Sequence, residues 1–225
     1  MYRAVVFDVD GTLVDSNDAH AHAWVQAIAE SGRQVDFARV RPLIGMGSDK
    51  LLPELTGLSA DSDDGRAIAE RRRTIFQREF IPTLQPTRGA HELLEWLRDE
   101  RMKLVVATSA ESAELHDLLQ IANATKQFDA TTTSDDADRS KPDPDVVRAA
   151  INLTECPIGE VMMIGDTPYD VQAAHRAGIG IIALRCGGWP DEALKGALAI
   201  YDDPGDLLER YDLSPFKRPA PLRSR

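Results

Sequence analysis

The sequence predicts an α/β chain built on a doubly wound parallel sheet, and three observations carry that prediction. Short apolar runs with strand character recur at 4–7, 104–107, 161–164 and 179–184, with a weaker one near 128–131. Segments with helical spacing of apolar residues separate them, as repeated βα units require. Polar, chemistry-bearing residues then follow three of the runs, at Asp8, Thr108 and Asp166. In an open parallel sheet, ligands sit beyond the carboxyl ends of the strands, so these three converge on one site.

Each element has its own justification. Ala4-Val5-Val6-Phe7 ends in Asp8 and Asp10, which leave a strand of period two on the same side, and Gly11 lets the backbone turn at once. Ser16 or Asn17 is placed to cap the next helix. From there to Gln85 no strand run appears, and helices are expected over 18–30, 37–43, 50–55 and 66–80. Pro82, Pro86 and Gly89 mark the return. Helical patterns at 92–97, 115–121, 146–151 and 171–177 flank the later strands. The expected architecture is a Rossmann-like core over 1–15 and 86–213, an inserted α-helical cap over 16–85, and a basic flexible tail over 214–225.

With 225 residues and a formal net charge of −11, the chain has room for a core plus an insert, and its charge repels a nucleic-acid backbone. No nucleic-acid partner is expected. The two cysteines, Cys156 and Cys186, are too far apart to read as a metal knuckle or redox pair. No stretch approaches the ~20 apolar residues that span a bilayer, and no leader pattern opens the chain. The expectation is a cytoplasmic protein with no membrane partner; the pattern leaves monomer or homodimer open.

Candidate site residues follow from chemistry. Asp8 and Asp10 offer a nucleophile and a proton carrier. Thr108 and Ser109 place a hydroxyl and backbone N–H groups at a strand-to-helix turn, where a phosphate oxygen can be held or a helix capped. Lys141 lies in Ser140-Lys141-Pro142-Asp143-Pro144, presented stiffly by its prolines. Asp166 follows the 161–164 run, and Thr167-Pro168-Tyr169-Asp170 reads as a capping box in which Asp170 also reaches the site. His20 shares a helix face with Trp24.

Taken together, Asp8-Val9-Asp10-Gly11-Thr12, Thr108, Lys141 and Asp166 resemble the four motifs, in order, of the haloacid dehalogenase (HAD) superfamily. The position of the helical insert resembles the phosphoglycolate phosphatase and β-phosphoglucomutase-like branch. The resemblance implies a phosphatase acting on a small phosphorylated metabolite through an aspartyl-phosphate on Asp8, with Asp10 as general acid and base. It implies Mg2+ held by Asp8, the carbonyl of Asp10, and Asp166; hard oxygen donors without a His or Cys cluster suit that ion. Asp8 is expected to be ionised like an ordinary carboxylate, and Asp10 to be pushed upward by burial and a neighbouring carboxylate. Asp10 separates the chain from true dehalogenases. His20 matches a histidine that sugar phosphomutases of the superfamily use beside the active site, but Gly165 stands where that branch carries a second acid, and the loop 45–50 lacks its arginine. A phosphomutase is the alternative enzyme, and a non-catalytic binding protein on the same fold the alternative of another class.

Overall fold

In the computed structural model, which describes residues 1–217, β1 (Ala4–Phe7) lies at the centre of a six-stranded sheet. The chain leaves β1 through α1 (Asn17–Glu30), α2 (Phe37–Val40), α3 (Ser48–Thr56) and α4 (Asp63–Ile75), and returns through α5 (Ala90–Asp99) to β2 (Lys103–Ala107). Then follow α6 (Ser112–Ile121), β3 (Ala130–Thr132), α7 (Asp145–Thr154), β4 (Val161–Gly165), α8 (Pro168–Ala177), β5 (Gly180–Leu184), β6 (Ala199–Tyr201) and α9 (Pro204–Glu209). The order β3-β2-β1-β4-β5-β6 is parallel throughout, so the winding reverses between β1 and β4. This is the switch point where ligands bind.

Side chains alternate across the sheet and feed two cores. Val5, Phe7, Leu104, Val106, Met162 and Ile164 join the core under α5, α6 and the helical insert. Val6, Val105, Ala107, Val161, Met163 and Ile181 join the other, under α7 and α8. Burial on both faces explains why these strands read as unbroken apolar runs.

Several boundaries differ from expectation. The helix expected from Arg66 begins at Asp63, because Ser62 caps it by accepting from Gly65 N at 3.1 Å, and it passes into a π turn over Phe76–Phe80. The helix from Phe37 tightens into a 3-10 turn at Arg41–Leu43, where Pro42 has no N–H to give. The expectation of a flexible tail from Ser214 fails for its first four residues: Phe216 is 5% exposed, stacked on Tyr211 with centroids 5.6 Å apart and edge-on to Tyr2 at 5.9 Å. The rest of that tail lies outside the described residues. Among the described residues, no helix is long and apolar enough to cross a membrane.

Candidate active site

β1 carries Asp8 to the carboxyl edge of the sheet, where its N–H donates to Ile164 O of β4 at 2.9 Å. Lys141, 1% exposed, donates to Asp8 Oδ1 and, at 2.8 Å, to Asp170 Oδ1. Burial opposes the charge on Lys141, yet Asp170 and Asp8 together raise its pKa. Asp170 does both jobs expected of it. Its Oδ2 closes the capping box, accepting from Thr167 N at 3.0 Å and Thr167 Oγ1 at 2.7 Å, while Oδ1 holds Lys141. Asp166, fully buried, accepts from Thr12 Oγ1 at 3.0 Å and Asn17 Nδ2 at 2.8 Å.

Three buried carboxylates therefore face one ammonium. Burial, more than any neighbour, raises Asp8 well above the usual range; Lys141 pulls it down, but Asp170, Asp166 and Asp10 add to the rise. Asp166 is pushed up to about 7 by burial and then by Asp170, against the hydrogen bonds from Asn17 and Thr12. The expectation of an ordinary Asp8 is thus corrected, for the reason that the pocket is dry and rich in like charge. Carboxylate oxygens of Asp8, Asp166 and Asp170 lie within 4.8 Å of one another, an all-oxygen donor set with surplus negative charge that fits a hard divalent cation.

Asp10 sits in a different environment. Its Oδ1 accepts from Ser16 Oγ at 2.6 Å and pairs with His20 Nε2 at 2.7 Å. Burial alone would raise its pKa, but His20, Ser16 and Arg72 more than offset it and hold the carboxyl below the ordinary value. This reverses the upward shift expected from sequence, because donors rather than carboxylates are aimed at it. Among the described residues, Oδ2 makes no hydrogen bond. Ser16 and Asn17 do not cap α1 with their side chains; they serve Asp10 and Asp166 instead.

Behind His20 lies a group the sequence did not single out. Arg72, on α4, donates to both carboxylate oxygens of Glu114, on α6, and its NH2 lies 3.2 Å from His20 Nδ1. Its guanidinium sits 5.5 Å from the Trp24 ring and 5.4 Å from Phe76, on which His20 stacks at 3.9 Å. His22 packs on Phe37. Asp8, Asp10, Thr108, His20, Arg72 and Glu114 share the wall of one cavity of about 40 Å³. Thr108 Oγ1 accepts from Ala110 N at 3.0 Å, which leaves its proton to donate, whereas Ser109 Oγ donates to Gly45 O at 3.4 Å, toward the insert.

The insert closes over this edge. In the 45–50 loop, Gly47 N donates to Ser140 Oγ at 3.0 Å, and Lys50 reaches Ser140 O at 2.9 Å and Asp143 at 3.0 Å, next to Lys141. In the loop after β5, Gly187 O accepts from Arg41 at 2.7 Å and from Asn17 at 3.3 Å.

The fold is an open, doubly wound parallel sheet with a carboxylate cluster at its switch point, and comparison identifies the family. The chain belongs to the haloacid dehalogenase-like hydrolase family, whose model matches residues 5–184. It is 30% identical to a phosphoglycolate phosphatase of Pseudomonas syringae pv. tomato, over 99% of this chain and 87% of that one. It is 25% identical to the fructose-1-phosphate phosphatase YqaB of Escherichia coli, over 82% and 97%. Among solved structures, a hydrolase from Pseudomonas syringae superposes with a TM-score of 0.88 at 31% identity, covering 94% of this chain and 98% of that chain. A β-phosphoglucomutase from Clostridium difficile shares the fold, with a TM-score of 0.82 at 18% identity over 95% and 96%.

Proposed function

We propose that this hydrolase is a magnesium-dependent phosphatase of a small phosphorylated metabolite and works through an aspartyl-phosphate on Asp8. One observation carries the reading: Asp8, pinned by Lys141 through Oδ1, opens into the same small cavity as Asp10, whose Oδ2 is uncommitted. Oδ2 of Asp8 attacks phosphorus, and the bond to the ester oxygen breaks. The leaving oxygen takes a proton from Asp10 Oδ2. Asp10 loads that proton because the arriving phosphate, an anion, raises its pKa as any like charge does. Water then attacks the acyl phosphate, Asp10 accepts its proton, and the phosphorus–Oδ2 bond breaks to release inorganic phosphate. Thr108 donates to a phosphoryl oxygen, and Lys141 holds the nucleophile and balances charge. Mg2+ on Asp8, the Asp10 carbonyl and Asp166 would supply charge neutralisation and in-line orientation.

Water rather than a sugar hydroxyl as acceptor is favoured at Gly165. A Cβ there would lie 2.7 Å from Asp170 Cγ, so the second acid of the mutase pattern has no room. Cys156 and Cys186 are both free thiols, consistent with a cytoplasmic setting. The test is phosphate release across a panel of phosphorylated metabolites and an activated aryl phosphate, with and without magnesium. Release that needs magnesium and is absent from Asp8→Asn is expected; metal-replete protein that hydrolyses none of the panel overturns the reading.

A further inference from the structure

The far end of the cavity, where a leaving group would lie, is rich in charge but has none to spare. Arg72 spends NH1 and NH2 on Glu114, and its Nε is buried without a partner, sealed from the cavity's solvent. A guanidinium only donates, so His20 Nδ1, 3.2 Å from Arg72 NH2, must accept. His20 Nε2 in turn is committed to Asp10 Oδ1 at 2.7 Å. Lys141 is held by Asp8 and Asp170, and Arg73, further along α4, by Glu70 and Glu111. Lys50 is held by Asp49 and Asp143. Among the described residues, no lysine or arginine beside the cavity is without a carboxylate partner, while Glu114 is 2% exposed and set in its wall.

We infer that this end of the site selects a neutral, hydroxylated leaving group, as in the phosphate ester of a polyol or sugar, over one bearing a carboxylate or a second phosphate, and that Glu114 makes the choice. The inference rests on the phosphatase reading above and adds the substrate class. A second anion would meet Glu114 and Asp10 with no free cation to offset them, and like charges set together are rejected strongly. A hydroxyl instead finds acceptors in the carboxylate oxygens of Glu114, which keep unused lone pairs after pairing with Arg72. The Trp24 ring, also in the wall, offers an apolar face to the carbon skeleton.

A closely matched pair tests this: 2-hydroxyethyl phosphate and phosphoglycolate differ only in CH2OH against carboxylate. For the unmodified protein, kcat/KM for the hydroxyl ester should exceed that for phosphoglycolate by about tenfold or more. Glu114→Gln, which releases Arg72, should raise the relative kcat/KM of phosphoglycolate by a similar factor, chiefly through its KM. Equal rates, or a preference for phosphoglycolate, in the unmodified protein overturn the inference while leaving the phosphatase reading intact. An unchanged ratio in folded Glu114→Gln removes Glu114 from the choice and overturns it too. Should that variant not fold, competition of the two esters against aryl phosphate hydrolysis by the unmodified protein reads the same preference. Hydrolysis of none of these esters, the aryl phosphate included, by metal-replete protein overturns both readings.

Discussion

Asn17 shows how a single side chain is reassigned by its surroundings. It stands where a helix cap is expected, yet its amide donates to Asp166 Oδ2 and to Gly187 O, orienting a carboxylate that the proposed cation would use. Partners of this kind typically change metal affinity by about 10- to 100-fold. Asn17→Ala is therefore expected to weaken magnesium binding by that order in a calorimetric titration, and an unchanged affinity would remove Asn17 from the site. Asp8, Thr108 and Asp166 were legible because each follows an apolar strand and so must emerge at the same edge. Arg72 and Glu114 were not. Arg71, Arg72 and Arg73 are three consecutive charges on one helix, and only the rotation of α4 decides that Arg71 pairs with Glu30 and Arg73 with Glu111 while Arg72 turns inward. Breaking that pair leaves a buried carboxylate alone, so Arg72→Met should cost about 2–3 kcal/mol in denaturant unfolding, below the full value for a sealed pair because Arg72 is partly exposed. Adding Glu114→Leu should recover most of the loss.

At the level of elements, the strands were legible to within a residue or two where both faces are buried. β6 was missed because Ala199-Ile200-Tyr201 is only three residues long and lies at the sheet's edge. Loops are where the remaining information lies. In the turn after β5, a Cβ on Gly187 would sit 1.9 Å from Asp166 Oδ2, so the loop approaches the carboxylate at a distance only glycine permits. Gly187→Ala must displace Asp166 or the turn, and at least a tenfold fall in magnesium affinity, on the order of other outer-partner changes, is expected by the same titration. The loop entering β3 carries a different device. Asp129 accepts from Leu104 N and from Arg98, each at 2.9 Å, tying the start of β2 to α5. Burial alone would raise its pKa, but the Leu104 amide and then Arg98 lower it further. A depressed folded pKa means that stability is present above the unfolded value and lost as pH falls through the folded one. Asp129→Asn should thus cost about 1 kcal/mol or less near neutrality, since the pair is solvent-screened. The gap should close as pH falls below the ordinary carboxylate value of about 4 in acid unfolding curves.

For the molecule as a whole, the buried excess of carboxylates makes stability depend on what neutralises it. Magnesium at about 100 times its dissociation constant should add about 2.7 kcal/mol. For a chain of this size that is about 5–10 °C in Tm, reversed by a chelator and absent in Asp166→Asn. The partly open cavity of about 40 Å³ holds on the order of three waters, so a bulky ester gains room when the insert draws back from Ser140 and Gly187. The route for such a movement is narrow. The outgoing and returning chains lie side by side, with Asp15 N on Gln85 O at 3.0 Å, Thr87 N on Leu13 O at 3.0 Å and Val14 bridged antiparallel to Pro86. Because the two ends of the insert meet, its helices form a cassette that another helical segment could replace without stretching the sheet. A chimaera cut at Asp15 and Gln85 would nonetheless lose Ser16, Asn17 and His20, so the seam for grafting a new specificity lies inside α1, beyond His20, rather than at the neck.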